Sequence, residues 1–351
     1  MAKKKKTLPK DFKDLIKNKD IPALKAVFET CELDACGGFG KGTALHFYDI
    51  PEELVRWLAE QGADVNAVDT YGKTPIYEQA TIGSDIVKVL LDSGADFKKP
   101  AKDGSTPLHI AAGFFHPHTV SELVARGADF HATTLDNLTP LAEALARCRG
   151  ADIARMAKVA DILLSCGSEI TPEMRESVTR IGKEFEFHRS NFNKDYLEET
   201  EAGLAKLYEL FSVEPVARRR VHDGVSPITV TSKRWQQQHG ELWDYLVPSQ
   251  GKAQTVQGEV IRIAGRVSHE VLGNGGANWG ADYRKMLDAL LKHFASGLPL
   301  AGEELNEAKQ LVERLHDGDG DEEPARLTEF AVRWVLKNPD PVPLGTPDYK
   351  R

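Results

Sequence analysis

Asp103-Gly104-Ser105-Thr106-Pro107-Leu108-His109-Ile110-Ala111-Ala112 is the stretch from which the fold can be read. The Thr106 hydroxyl is placed to accept a hydrogen bond from an orphan amide at a helix start, and Pro107 brings a preset φ and no amide of its own. A helix therefore begins at Thr106. The same tetrad recurs as Thr43-Ala44-Leu45-His46, Thr74-Pro75-Ile76-Tyr77 and Thr139-Pro140-Leu141-Ala142, with threonines 31, 32 and 33 residues apart. A second apolar set marks a return helix in each unit: Leu54, Val55, Leu58; Val87, Leu90, Leu91; Val120, Leu123, Val124; Val159, Ile162, Leu163. Gly62, Gly94, Gly127 and Gly167 then stop that helix, since glycine enters the left-handed region without a Cβ penalty. One helix pair cannot bury its own apolar face, whereas stacked pairs can.

Four such units, each closing on Gly-Ala-Asp or its relative Gly167-Ser168-Glu169, resemble the ankyrin repeat. Residues 69–75 and 103–112 follow that family's pattern closely. Repeat one departs from it, with Tyr48-Asp49 where two alanines are usual and a unit about two residues short. Repeat four lacks the histidine, and Arg147-Cys148-Arg149-Gly150-Ala151-Asp152 is expected to lengthen its interhelical loop. Residues 21–28 read as the return helix of a degenerate first repeat that caps the array. The fold class expected is all-α, an ankyrin-repeat solenoid of four to five repeats over residues 11–170 followed by a C-terminal helical domain. Lys3 to Lys6 are expected in a disordered basic terminus over residues 1–10.

Downstream, Thr171-Pro172-Glu173 repeats the start signal and opens a helical cap over residues 171–211. Pro215, Arg218-Arg219-Arg220, Asp223-Gly224 and Ser226-Pro227 mark a connector over residues 212–232. Helical periodicity resumes over residues 233–351 in about five segments, and strand-like alternation is nearly absent, which predicts a helical bundle. Four of the five tryptophans fall there and are expected as core anchors. Glu259, Arg262, Arg266, His269 and Glu270 are expected along a polar face opposite the apolar stripe of one helix, supporting it by their spacing. Part of this half, residues 257–279, is similar to segments of uncharacterised bacterial proteins, which implies a bacterial source.

Composition narrows the function classes. With 45 Lys+Arg against 53 Asp+Glu the net charge is −8, and neither half is basic, so nucleic acid is not the expected partner. No apolar segment approaches a membrane span and no apolar leader follows the lysines, so the expected location is cytoplasmic with no membrane partner. Cys31, Cys36, Cys148 and Cys166 show no metal or redox spacing and read as reduced thiols. Gly273-Asn274-Gly275-Gly276 has no strand before it and no Lys-Ser/Thr after it, which leaves a helix-breaking turn rather than a phosphate loop. Asp317, Asp319 and Asp321 lack the Gly and the acid that a calcium loop needs at 322 and 328. His109, His116, His118 and His131 have no completing ligand, so neither metal nor cofactor is expected. His222-Asp223 near Ser226 is a local string, whereas a catalytic triad assembles from separate elements.

The resemblance implies where a partner protein docks: the hairpin tips and the inner face of the first helices. Matched position by position, the tips supply Thr70, Tyr71 and Lys73, then Lys102, Asp103 and Ser105, then Leu135, Asp136 and Leu138. The helix faces add Thr81 and Ile82, then Gly113 and Phe114. Tyr71 and Phe114 are the expected anchors, with burial of Phe114 inside the array as the competing reading. His46 and His109 are assigned to hydrogen bonds that tie neighbouring loops. The function implied is a non-enzymatic cytosolic adaptor or inhibitor, in concrete form a toxin-neutralising immunity protein. The alternative is an effector, or an enzyme whose C-terminal domain acts on a substrate recruited by the array.

Overall fold

The computed structural model describes residues 3–318 and 320–350; Asp319 of the acidic loop and the first two residues of the expected disordered terminus lie outside the described residues. The chain divides into two compact units, Met1–Phe185 with Phe192–Val216, and Glu186–Asn191 with Ala217–Arg351. The protein is predominantly α-helical. Among the described residues no helix is long and apolar enough to cross a membrane.

The first unit opens with strand β1 (Lys5–Thr7), helices α1 (Phe12–Asn18) and α2 (Ile21–Thr30), and strands β2 (Cys31–Gly37) and β3 (Gly42–Thr43). The strands form one sheet in the order β1-β2-β3, with β1 parallel and β3 antiparallel to β2. This corrects the expected disordered terminus for Lys5–Thr7 and adds a small sheet to a fold expected to be all helix. The cause is Leu8, which is buried in the core and donates its amide to the Cys36 carbonyl at 3.0 Å, holding the preceding residues beside β2.

Helix pairs then stack. Repeat one has only a 3-10 turn (Ala44–His46) before α3 (Glu52–Glu60); α4 (Pro75–Ile82) pairs with α5 (Ile86–Asp92), and α6 (Pro107–Gly113) with α7 (Pro117–Ala125). In repeat four α8 (Pro140–Arg147) is followed by a 3-10 turn (Gly150–Asp152) and α9 (Ile153–Ser165). The insertion thus lengthens the loop and also the return helix, which has 13 residues against 7 and 9 in α5 and α7. The four closing glycines all sit at positive φ, between 85° and 105°. In each case the amide just beyond returns to a leucine carbonyl: Ala63 to Leu58, Ala95 to Leu90, Ala128 to Leu123 and Ser168 to Leu163, at 2.9–3.1 Å. Helices α10 (Pro172–His188) and α11 (Lys194–Phe211) follow, and α11 lies so close to α9 that a Cβ on Gly203 would meet the Ala154 Cα at 2.7 Å.

The second unit is a helical bundle of α12 (Trp235–Leu246), α13 (Val256–Ser268) extended by a π turn (His269–Gly273), α14 (Ala281–Phe294), α15 (Gly302–Arg314) and α16 (Glu323–Lys337). Of its tryptophans Trp334 is buried, whereas Trp235, Trp243 and Trp279 are half-buried at the edge of the core, a correction to the expected anchors. The larger correction concerns α13. Glu259 and Arg262 are completely buried and paired, with Arg262 Nε and Nη2 donating to the Glu259 carboxylate at 2.8 and 2.5 Å. Tyr349 donates its hydroxyl to the same carboxylate at 2.7 Å. The C-terminal segment lies along the start of this helix, with the Val256 amide on the Val342 carbonyl and the Leu344 amide on the Gln254 carbonyl. Both faces of α13 are covered for that reason. Glu270 is also buried and accepts from the Asn278 amide, Asn274, Tyr283 and the Asn278 side chain, which hold the turn after the helix. His269 alone of the five is exposed.

Candidate protein-binding surface

Each hairpin tip is built by the same local chemistry. The first amide of the turn pairs with the last carbonyl, as Asp69 to Lys73, Ala101 to Ser105 and Thr134 to Leu138 at 2.8–3.0 Å. The left-handed position is Gly72, Gly104 and, in the third tip, Asn137 with φ 58°. Asparagine tolerates that region, so the third tip keeps the turn without a glycine. Neighbouring tips are joined in a ladder: Thr70 donates its amide to Gly40, Lys102 to Tyr71 and Leu135 to Asp103, at 2.9–3.2 Å.

The histidines supply the second tie. The Thr43 amide donates to His46 Nδ1 at 3.0 Å, so in the neutral ring the proton sits on Nε2, which donates to the Lys73 carbonyl of the next tip at 3.1 Å. His109 repeats this, taking the Thr106 amide at 3.1 Å and donating to the Leu138 carbonyl at 3.0 Å. Tyr77 holds the same place in repeat two and meets the Ser105 hydroxyl at 2.8 Å. The threonine side chain caps its helix in repeat four, where Thr139 accepts from Ala142 at 3.3 Å; the Thr74 hydroxyl makes no hydrogen bond among the described residues.

These ties sort the expected contact residues. Thr70, Tyr71, Lys102, Asp103, Leu135 and Asp136 are exposed at the tips. Ser105 is not, being 2% exposed because Tyr77 and the Asp103 carboxylate occupy its hydroxyl. It belongs to the scaffold. Leu138 and Lys73 are half-buried; the first lends its carbonyl to His109, and the second pairs with Glu78 at 3.0 Å. Thr81 is half-buried and donates to the Tyr77 carbonyl, Gly113 is buried, and Ile82 is exposed. Phe114 is 37% exposed with the Arg147 guanidinium 4.5 Å from its ring centroid, so it lies at the surface; the residue packed into the core is its neighbour Phe115.

Two apolar residues of this face escaped the sequence reading. Phe39, at the tip of repeat one, is 93% exposed and stacks on Tyr71 with ring centroids 6.4 Å apart. Tyr48 is 46% exposed and donates to Glu78 at 2.8 Å. Burial and the Glu78 carboxylate push its hydroxyl up to about 12. Tyr48 precedes Asp49 (φ 59°), as Ile82 precedes Gly83 (φ 63°) and Phe114 precedes Phe115 (φ 59°). All three therefore occupy one structural position, the residue before the left-handed turn that ends the first helix. The signal available in the sequence was the Tyr48-Asp49 departure itself.

A family model described as ankyrin repeats, in three copies, matches residues 80–173. Residues 80–173 are an ankyrin-repeat region. Such a module is consistent with protein–protein interaction. No curated protein matches the chain. The tips and ties continue the same arrangement upstream of the matched residues, from Gly40 and His46 onward.

Other constellations are occupied by local bonds. The Ser226 hydroxyl donates to Asp223 at 2.6 Å, and His222 accepts the Gly224 amide on Nδ1 while Nε2 donates to the Ser226 carbonyl at 2.7 Å. The serine thus faces the carboxylate and not the imidazole. Among the described residues no group of three or more His, Cys, Asp or Glu is arranged to hold a metal ion.

Burial lowers the imidazole pKa of both His46 and His109, with hydrogen bonds to backbone carbonyls opposing it only in part. A folded value below the unfolded one means that the fold favours the neutral ring. The ties are then intact above the ordinary histidine value, about 6.5, and stability falls as the pH drops below it. Denaturation at pH 7.5 and 5.5 is expected to show this loss, and a smaller one in His109→Gln, which has no ring to protonate; equal losses in both proteins would remove His109 from the titration.

Proposed function

We propose that this chain is a non-enzymatic binding protein of the bacterial cytosol, an adaptor or inhibitor whose concrete form is a toxin-neutralising immunity protein. The observation that carries the reading is the exposed apolar set on one repetitive face: Phe39, Tyr71 and Leu135 at the tips, and Tyr48, Ile82 and Phe114 at the helix ends. Exposed aromatic side chains on a rigid scaffold are the groups that dominate interface energies. Two of the charges beside them are paired within the array, Lys73 with Glu78 and Arg147 with Glu143, which leaves the aromatic and aliphatic groups as the repeated feature of this face. The partner is another protein, with neither nucleic acid nor membrane as the main target.

A photo-cross-linking residue at position 82 or 135 tests this in the native cytosol, with the exposed position 88 on α5 as a control. Capture no stronger than at the control would move the interface elsewhere. With the captured protein in hand, Tyr71→Ala and Phe114→Ala are each expected to cost about 2 kcal/mol of affinity in calorimetric titration while leaving Tm nearly unchanged. Identification of a toxin as the captured protein supports inhibition, and a housekeeping enzyme supports an adaptor.

A further inference from the structure

The N-terminal strand leaves the small sheet with an open edge. β1 is the outermost strand in the order β1-β2-β3, and its pairing is with β2. Leu8 directs its amide toward β2, onto the Cys36 carbonyl, so by strand alternation the neighbouring Thr7 amide points the other way. Lys5, Lys6 and Thr7 are exposed along their whole length. Such an edge is a template for another strand.

The side chains select which strand. Alternation puts Lys5 and Lys6 on opposite sides of β1, and neither makes an ion pair among the described residues. Lys3 is likewise exposed, whereas Lys4 reaches back to the Phe28 carbonyl at 2.6 Å. Pairing with a second copy of this edge would set lysine against lysine, which is how edge lysines suppress self-association. A strand of consecutive acidic residues meets the reverse situation, with carboxylates opposite ammonium groups on both sides and a main-chain bond to the outward Thr7 amide, the Thr7 carbonyl being shared with the Cys31 thiol at 3.5 Å.

We propose that the β1 edge is a docking site for an extended acidic segment of a partner protein, which adds to the sheet as a fourth strand. The site uses none of the hairpin-tip or helix-end residues of the array, so it stands independently of the reading above.

Calorimetric titration of the full chain at low salt with a capped eight-residue peptide, four consecutive glutamates flanked by valines, tests it. Three controls accompany it: the same peptide broken by a central proline, the same peptide with alternate backbone amides methylated, and a single-stranded oligonucleotide of equal charge. The intact peptide is expected to bind, and Lys5→Glu with Lys6→Glu is expected to weaken it about tenfold or more, with salt acting in the same direction. Thr7→Pro removes the outward amide while keeping every lysine, and is expected to weaken binding similarly with an unchanged circular dichroism spectrum. The methylated peptide makes the same test without altering the protein, and is expected not to bind. Absence of binding by the intact peptide, equal binding by the proline-broken or methylated peptide, wild-type binding by a folded Thr7→Pro protein, or tighter binding of the oligonucleotide would each overturn the proposal.

Discussion

Arg262→Ala is expected to destabilise the C-terminal unit by about 3 to 5 kcal/mol, the loss that follows when one partner of a buried ion pair is removed and the other is left as an uncompensated buried charge. Glu259 would then sit fully buried with its carboxylate supported by Tyr349 and the Ala253 amide alone. Burial on its own raises the Glu259 carboxyl, but the Arg262 and Tyr349 hydrogen bonds outweigh it and hold the group below the ordinary carboxylate range. Its contribution is therefore present above the ordinary value and lost as the pH falls through the lower folded one. Urea denaturation at pH 7 measures the mutant. A loss under about 1 kcal/mol would mean that water enters and solvates the carboxylate. Replacing the set together, Glu259→Leu with Arg262→Met and Tyr349→Phe, should recover most of the loss, because no charge is then stranded.

His109→Ala is the second large effect. The ring is fully buried and serves two backbone groups, the Thr106 amide and the Leu138 carbonyl, 29 residues beyond the histidine. Alanine leaves the Thr106 amide unpaired in the interior, at about 1–3 kcal/mol, and takes one of two donors from the Leu138 carbonyl, which keeps the Thr134 amide, at about 1 kcal/mol, for a total of about 2 to 4 kcal/mol. Each repeat is stable only against its neighbours, so loss of the tie between the third and fourth should broaden the unfolding transition as well as lower it. Tyr77→Phe is the contrasting case, because Ser105 keeps Asp103 as a partner and the loss should stay near 1 kcal/mol. Denaturation curves for the two proteins measure the difference; equal losses would mean that the two backbone bonds of His109 contribute no more than the single hydroxyl contact of Tyr77.

What could be read in advance was whatever carries its own local chemistry. Thr-Pro pairs start helices and the closing glycines stop them within a few residues, so the helix pairs from α4 onward were legible at Thr74, Thr106 and Thr139. Partners distant in sequence were not. Nothing near Glu259 or Arg262 announces that Tyr349, 90 residues from Glu259, covers that helix face. Charges spaced 3 apart look solvated until the covering segment is known. Ser105 was misread for a related reason: its role depends on Tyr77 standing where repeats one and three have histidine, and a hydroxyl reaches a side chain where an imidazole reaches a carbonyl. Phe39 was missed because repeat one turns through Gly38 and Lys41, both at positive φ, and so has no match to the tip pattern.

Repeat one is about one helical turn shorter than repeats two and three between its threonine and the left-handed residue, yet Tyr48 still stands directly before that residue, in the position of Ile82 and Phe114. The missing residues came out of the stretch between the threonine and that turn and left the outward-facing side chain in place. Positions on this face are thus numbered by the molecule backward from the turn, and a repeat can lose or gain a helical turn without changing which residue it presents. Aligned forward from the threonine, Tyr48 falls against the interior residue Gln79; aligned backward, it completes a column across three repeats. Sequence changes that move the left-handed residue, rather than those that alter helix length, are the ones that would rewrite what this surface recognises.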